Sequence, residues 1–172
     1  EDHGLAILWD IATGERRQTF EGHVQTIKRV KLSPDESRLL TAAWDGTARL
    51  WDVATGEELF LLGDHSGPVW GASYHPDGRM VATGAIDSAI ILWDAHTGAK
   101  LLTLMEGGDE GINHVDFHPD GTRLIAAVGD GTLREFILPL AELVELAHTR
   151  VTRTLTDEEC RQYLHVDACP QS

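Results

Sequence analysis

The sequence predicts an all-β chain of small antiparallel sheets that repeat and stack side by side, followed by a helical tail. Three observations predict it. The tripeptide Leu-Trp-Asp recurs as Leu8-Trp9-Asp10, Leu50-Trp51-Asp52 and Leu92-Trp93-Asp94, with the tryptophans 42 residues apart each time. A period of about 40–45 residues marks repeats that bury their faces only against neighbours. Turn signals punctuate short apolar stretches at regular intervals. Beyond Pro139, the apolar residues Leu140, Leu143, Val144, Ala147 and Val151 fall instead at helical spacing.

Three units follow a partial one: 1–21 as the partial unit, then 22–63, 64–106 and 107–138. Each full unit begins with an apolar stretch, over 24–32, 69–74 and 112–117. A turn comes next: Ser33-Pro34-Asp35-Glu36, His75-Pro76-Asp77-Gly78 or His118-Pro119-Asp120-Gly121. Proline presets φ at the second turn position, and glycine tolerates positive φ at the fourth. A second strand is expected over 38–43, 79–85 and 123–128. An Asp-Gly or Asp-Ser corner then leads to a third strand ending at Trp. Thr-Gly turns (Thr13-Gly14, Thr55-Gly56, Thr97-Gly98) introduce a fourth strand over 16–20, 58–62 and 100–104. The strand count is therefore two, four, four and three. Four-stranded units of this kind fit the blades of a β-propeller, and a ring typically needs 4–8 of them. The chain reads as part of a larger propeller. In the last unit Ile137-Leu138-Pro139 leads into the helical pattern where a fourth strand is due. The tail, 139–172, has Pro139 at a first helical position and a capping box of Thr156 and Glu159.

Bulk properties narrow the function. The 172 residues suffice for a real core, and 42% hydrophobic residues is an ordinary globular value. A formal net charge of −14 disfavours nucleic-acid backbones and anionic membranes as partners, since both need a cationic footprint. No apolar run approaches the roughly 20 residues of a membrane helix. The only cysteines, Cys160 and Cys169, lie in the tail. They lack metal-ligand spacing and make no disulfide framework, so a reducing, cytoplasmic setting is expected.

With these motifs in register, residues 4 to about 137 resemble the WD-repeat β-propellers. The expected fold is thus all-β: a partial WD-repeat β-propeller of two complete four-stranded blades and two incomplete ones, with a C-terminal helical tail. The resemblance implies a buried hydrogen-bond relay in each blade. It maps to His23, Thr41, Asp45 and Trp51 in one unit, and to His65, Thr83, Asp87 and Trp93 in the next. The chemistry is consistent, because a desolvated carboxylate needs donors and an indole N–H needs an acceptor. The last unit keeps Asp130 but has Gly108, Ala126 and Phe136 at the other places, so packing alone is expected to hold it. The partial unit has His3 at its Asp position.

The resemblance also implies a partner-binding top face around the channel. Trp44 and Trp70 open onto it, with Thr26, Lys28, Pro68, Ile86, Gly111, Asn113 and Gly129 at corresponding positions. Exposed tryptophan on a rigid rim is a typical anchor. The alternative is that these rings merely pack across the channel.

Catalytic readings are weaker. His65, Ser66 and Asp87 suggest a hydrolase, but His65 and Asp87 belong to the implied relay. His114, Asp116 and His118 suggest a metal site, but four residues of strand span roughly 13 Å, too far for one ion. The run Gly107-Gly108-Asp109-Glu110-Gly111 is acidic, unlike a phosphate loop. No catalytic residue, metal or cofactor is expected.

The tail around Leu155–His165 resembles that of large bacterial WD-repeat signalling proteins, which often carry a kinase, cyclase, transcription-regulator or NTPase module upstream. The expectation is a non-enzymatic scaffold or sensor that binds a protein or peptide on its top face and joins the missing blades of its parent chain. The alternative is the regulatory part of a multidomain enzyme.

Overall fold

The computed structural model describes residues 4–105 and 108–138. The helical tail expected over 139–172, like His3, lies outside the described residues. Contacts divide the chain into one unit at 1–138 and another at 139–172.

Among the described residues, thirteen strands form four antiparallel sheets. The first sheet holds β1 (Leu5–Trp9) and β2 (Arg16–Glu21). The second holds β3 (Ile27–Leu32), β4 (Arg38–Ala43), β5 (Ala48–Asp52) and β6 (Glu58–Leu62) in that order. The third repeats this with β7 (Val69–Tyr74), β8 (Met80–Ala85), β9 (Ile90–Asp94) and β10 (Lys100–Met105). The last has β11 (Ile112–Phe117), β12 (Arg123–Val128) and β13 (Leu133–Ile137).

Two strands start later than the sequence suggests. The stretch from Val24 becomes strand only at Ile27, because the Val24 N–H donates to the Asp45 carboxylate at 3.1 Å and holds the segment as a loop. Met80 rather than Arg79 opens β8, since the Arg79 N–H donates to Asp77 Oδ1 at 2.8 Å and stays in the turn. The aspartates of the Trp-Asp pairs serve the next turn. Asp52 Oδ1 accepts from Ala54 N and Thr55 N at 2.9 and 2.8 Å, and Asp94 Oδ1 does the same for His96 and Thr97 at 2.8 Å. These are Asx turns, a local reason for Asp after Trp.

The sheets pack face to face. Leu40, Leu50 and Leu62 of the second sheet meet Val69, Tyr74, Val81 and Trp93 of the third. Ile90 and Leu92 of the third meet Ile112, Val115, Phe117 and Leu124 of the last. Phe20 of the first meets Leu39 and Trp51 of the second. Burying each such side chain contributes roughly 1.5–3 kcal/mol. Strands covered on both faces lose the two-residue alternation: every residue of β8 after Met80 is buried. The inner strands β3, β7 and β11 stand next to one another. Gly71 in β7 permits the closest approach, since a Cβ there would lie 2.7 Å from Val115 N of β11. Among the described residues β1 pairs only with β2. Beside it runs a groove of about 370 Å³ lined by Leu5, Ile7, Ile27, Val30 and Leu32.

Candidate functional site

Two polar relays run through the second and third sheets. In the second, the Trp51 indole N–H donates to Thr41 Oγ1 at 2.8 Å. Thr41 Oγ1 lies 2.8 Å from His23 Nε2, and His23 Nδ1 lies 2.8 Å from Asp45 Oδ2. A carboxylate only accepts, so Nδ1 carries the proton and donates to Asp45, while Nε2 accepts from the threonine hydroxyl. Every donor then points one way, from indole to carboxylate. Burial pushes the His23 pKa below its ordinary 6.5, against the opposing pull of Asp45, which keeps the ring neutral for this arrangement. Desolvation pushes the Asp45 carboxyl up, but the hydrogen bonds from Thr47 and His23 outweigh it and hold it below the usual range. The third sheet repeats the chain. Trp93 donates to Thr83 Oγ1 at 2.8 Å, Thr83 meets His65 Nε2 at 2.8 Å, and His65 Nδ1 lies 3.2 Å from Asp87 Oδ2.

Both ring nitrogens of His65 are thereby occupied. The Ser66 N–H donates to Asp87 at 2.8 Å, so this trio is structural and its geometry is not that of a nucleophile and base. In the last sheet, Asp130 receives Thr132 N at 2.8 Å, Thr132 Oγ1 at 2.6 Å and a guanidinium N–H of Arg134 at 3.3 Å. These contacts are all local, and buried Ala126 offers no hydroxyl. Among the described residues, no cluster of His, Cys, Asp and Glu could hold a metal ion.

One end of the three sheets forms a rim with a repeated backbone. Each inner strand opens on a bulge that leaves Lys28, Trp70 or Asn113 outside the ladder. Bulges re-aim the side chain they carry. Across from it, the residue before the corner Asp donates its N–H back to the strand entry: Trp44 to Thr26 O at 3.0 Å, Ile86 to Pro68 O at 3.0 Å, Gly129 to Gly111 O at 2.8 Å. The nine rim positions are thus three equivalent triplets with different side chains. Trp44 is 40% exposed and Ile86 44% exposed, and Lys28 Nζ sits 4.3 Å from the Trp44 ring centroid. Thr26, Lys28 and Asn113 are exposed, while Pro68 is half-buried. Trp70 corrects the expectation of two exposed indoles. Its ring is half-buried and Nε1 is buried without an acceptor, because β7 lies between β3 and β11.

A family model for the WD domain, G-beta repeat, matches residues 14–52, 56–94 and 99–136. The chain belongs to the WD40 repeat family. WD40 repeats generally mediate protein–protein interaction and are generally non-catalytic. No curated protein matches the chain. The WD40 matches are staggered against the sheets. Each takes its first strand (β2, β6 or β10) from the outside of one sheet and its other three from the next.

Several polar contacts escape a reading of the WD40 period. Thr47 joins the first relay, donating to Asp45 Oδ1 at 2.7 Å. Ser88 adopts a left-handed φ of 64°, where Gly46 and Gly131 have 82°. Its hydroxyl lies 3.0 Å from Gly108 O and 2.8 Å from Glu110 O, tying the third sheet's corner to the last sheet's entry. Such ties can hold a non-glycine residue in that region. Ser73 Oγ donates to Asp116 at 2.5 Å, and Arg29 of β3 reaches His114 of β11 at 2.9 Å. The Thr47–Asp45 pair recurs as Thr132–Asp130, and Ser88 stands where its counterparts are glycine, so these carried a signal; the Ser73–Asp116 and Arg29–His114 pairs do not recur and carried none.

Proposed function

We propose that this chain is a non-enzymatic scaffold or sensor module that holds a protein or peptide partner on the rim of its WD40 blades, within a larger cytoplasmic bacterial signalling protein. One observation carries the reading: three backbone-equivalent triplets keep their geometry while their side chains diverge. Thr26, Lys28 and Trp44 make an aromatic and cationic sector; Pro68, Trp70 and Ile86 an apolar one; Gly111, Asn113 and Gly129 an open, polar one. Rigid scaffolds that vary only at one face put recognition there. Such a rim binds with little backbone change. The absence of cysteine from the repeats supports the reducing setting. The groove along β1 supports a longer parent, whose further blades would pair there.

Selection of a random peptide library on the 172-residue chain tests the rim. Selected binders are expected to lose at least tenfold in affinity on Trp44→Ala or Ile86→Ala, with an unchanged urea midpoint. Binders indifferent to both substitutions would place recognition on another face.

A further inference from the structure

We propose that Arg29 and Lys31 of β3, with His114 of β11, form a seat on the inner wall for an anionic side chain of the peptide held at the rim. This rests on the rim reading and adds a chemical class to its partner.

The chain is strongly acidic, yet the six-residue strand β3 carries Lys28, Arg29 and Lys31. Among the described residues none of the three has a carboxylate within 4.0 Å, a lack shared by Arg16, Arg38 and Arg79 but not by Arg17, Arg49, Lys100, Arg123 and Arg134; β3 alone gathers three such cations on one strand. Arg29 is the most telling. Its guanidinium donates to His114 Nδ1 at 2.9 Å, and its Nε is buried without an acceptor. A guanidinium has donors only, so Nδ1 must accept, and the proton of the neutral ring sits on Nε2. Burial, then the Arg29 charge, hold the His114 pKa below its ordinary value, consistent with that neutral form. A half-buried cation is thus matched with a neutral ring, an arrangement that leaves its charge uncompensated. Lys31 follows Arg29 by two residues and shares its face of the strand. The carboxylate that also acts on His114, Asp116, is engaged by the Ser73 hydroxyl at 2.5 Å.

Position connects this seat to the rim. Lys28, next in sequence to Arg29, is the bulged residue standing over Trp44. A peptide lying against Trp44 can therefore turn a carboxylate or phosphoryl group inward past Lys28, where Arg29, Lys31 and the His114 Nε2–H all offer donors. Charge-assisted bonds of this kind are the strong ones, and guanidinium suits both oxyanions.

The test uses the full chain and three fluorescein-labelled pools of degenerate nonapeptides, with a fixed central Glu, phosphoserine or Gln. Fluorescence anisotropy is expected to show the Glu or phosphoserine pool binding at least tenfold tighter than the Gln pool, and weakening as salt screens the contact. Which acidic pool binds tighter distinguishes carboxylate from phosphoryl. Inorganic phosphate should compete and shift the His114 ring resonances. Arg29→Gln and, independently, the milder Lys31→Gln should each abolish the acidic preference while leaving Gln-pool binding and the urea midpoint unchanged. Equal binding of all pools that still falls on Trp44→Ala overturns the seat and leaves the rim. Binding of none overturns both, and an acidic preference that survives both substitutions places the charge recognition elsewhere.

Discussion

The sheets β3–β6 and β11–β13 start from the same backbone plan. Both have a bulged inner strand, a Pro-Asp turn and a corner aspartate. They differ in what occupies the space behind that corner. In the former, Asp45 has a side chain only 4% exposed and terminates a one-way chain of donors from Trp51. In the latter, Asp130 is exposed and serves its own turn and the nearby Arg134 of β13, while that outer strand leaves Leu133 and Ile137 about three-quarters exposed. The backbone of a blade is therefore set by turns and bulges, which both sheets share. The relay is an added lock. It fixes the strand entry loop to the third strand through buried groups that tolerate no missing member.

Removing the corner carboxylate should separate the two sheets most clearly. Asp45→Ala would leave the His23 Nδ1–H, the Val24 and Thr47 N–H groups and the Thr47 hydroxyl without their acceptor. At about 1–3 kcal/mol for each buried unpaired group, and less for those water can reach, a loss of about 3–4 kcal/mol is expected. Asp130→Ala should leave the midpoint of urea unfolding almost unmoved. Similar losses from both would mean that the relay adds nothing beyond the turn.

Acid should act next, most strongly through the buried relay histidines, with His114 of the last sheet shifted in the same direction. His23 and His65 have folded pKa values pushed below 6.5, first by burial. The unfolded chain thus takes up protons before the folded one, so their contribution is intact above pH 6.5 and declines as pH falls below it. Asp45 and Asp87 are held below 3.8 by their donors despite desolvation, which adds a second decline below that pH. Urea midpoints measured from pH 8 to 3 should show both steps, and His23→Gln with His65→Gln should shrink the first to the share that His114 contributes. A gain in stability between pH 7 and 5.5 would show the imidazoles charged in the fold.

The smallest effect sharpens the difference between the relays themselves. Thr47 supports Asp45, but Ala89 stands at the matching place beside Asp87, where the histidine contact is also longer, 3.2 against 2.8 Å. Ala89→Thr is expected to stabilise the chain by about 0.5–1 kcal/mol. A loss in the same denaturation assay would show that packing around Ala89 outweighs the new bond.

What could be read from the sequence follows the period. His23 and His65, Thr41 and Thr83, Asp45 and Asp87, and Trp51 and Trp93 each recur 42 residues apart, so the strand order and the relay members stand out together. Features that occur once do not stand out. The Arg29–His114 link joins the inner strands of sheets that are not neighbours, and no local pattern announces it. The half-burial of Trp70 depends on what flanks β7, while Trp44 with the same side chain remains open. The late start of β3 depends on Val24 answering a carboxylate 21 residues away.

The offset between repeat and sheet has a consequence for how such a chain can lengthen or shorten. A gene duplication or deletion of one 42-residue period carries the outer ribbon of one layer together with the inner three of its neighbour. Every joint in the product is then spliced by continuous polypeptide, and no interior layer is left with a raw border. Layers could be gained or lost one at a time while the stack stays stitched, leaving the side chains at its open end free to diverge.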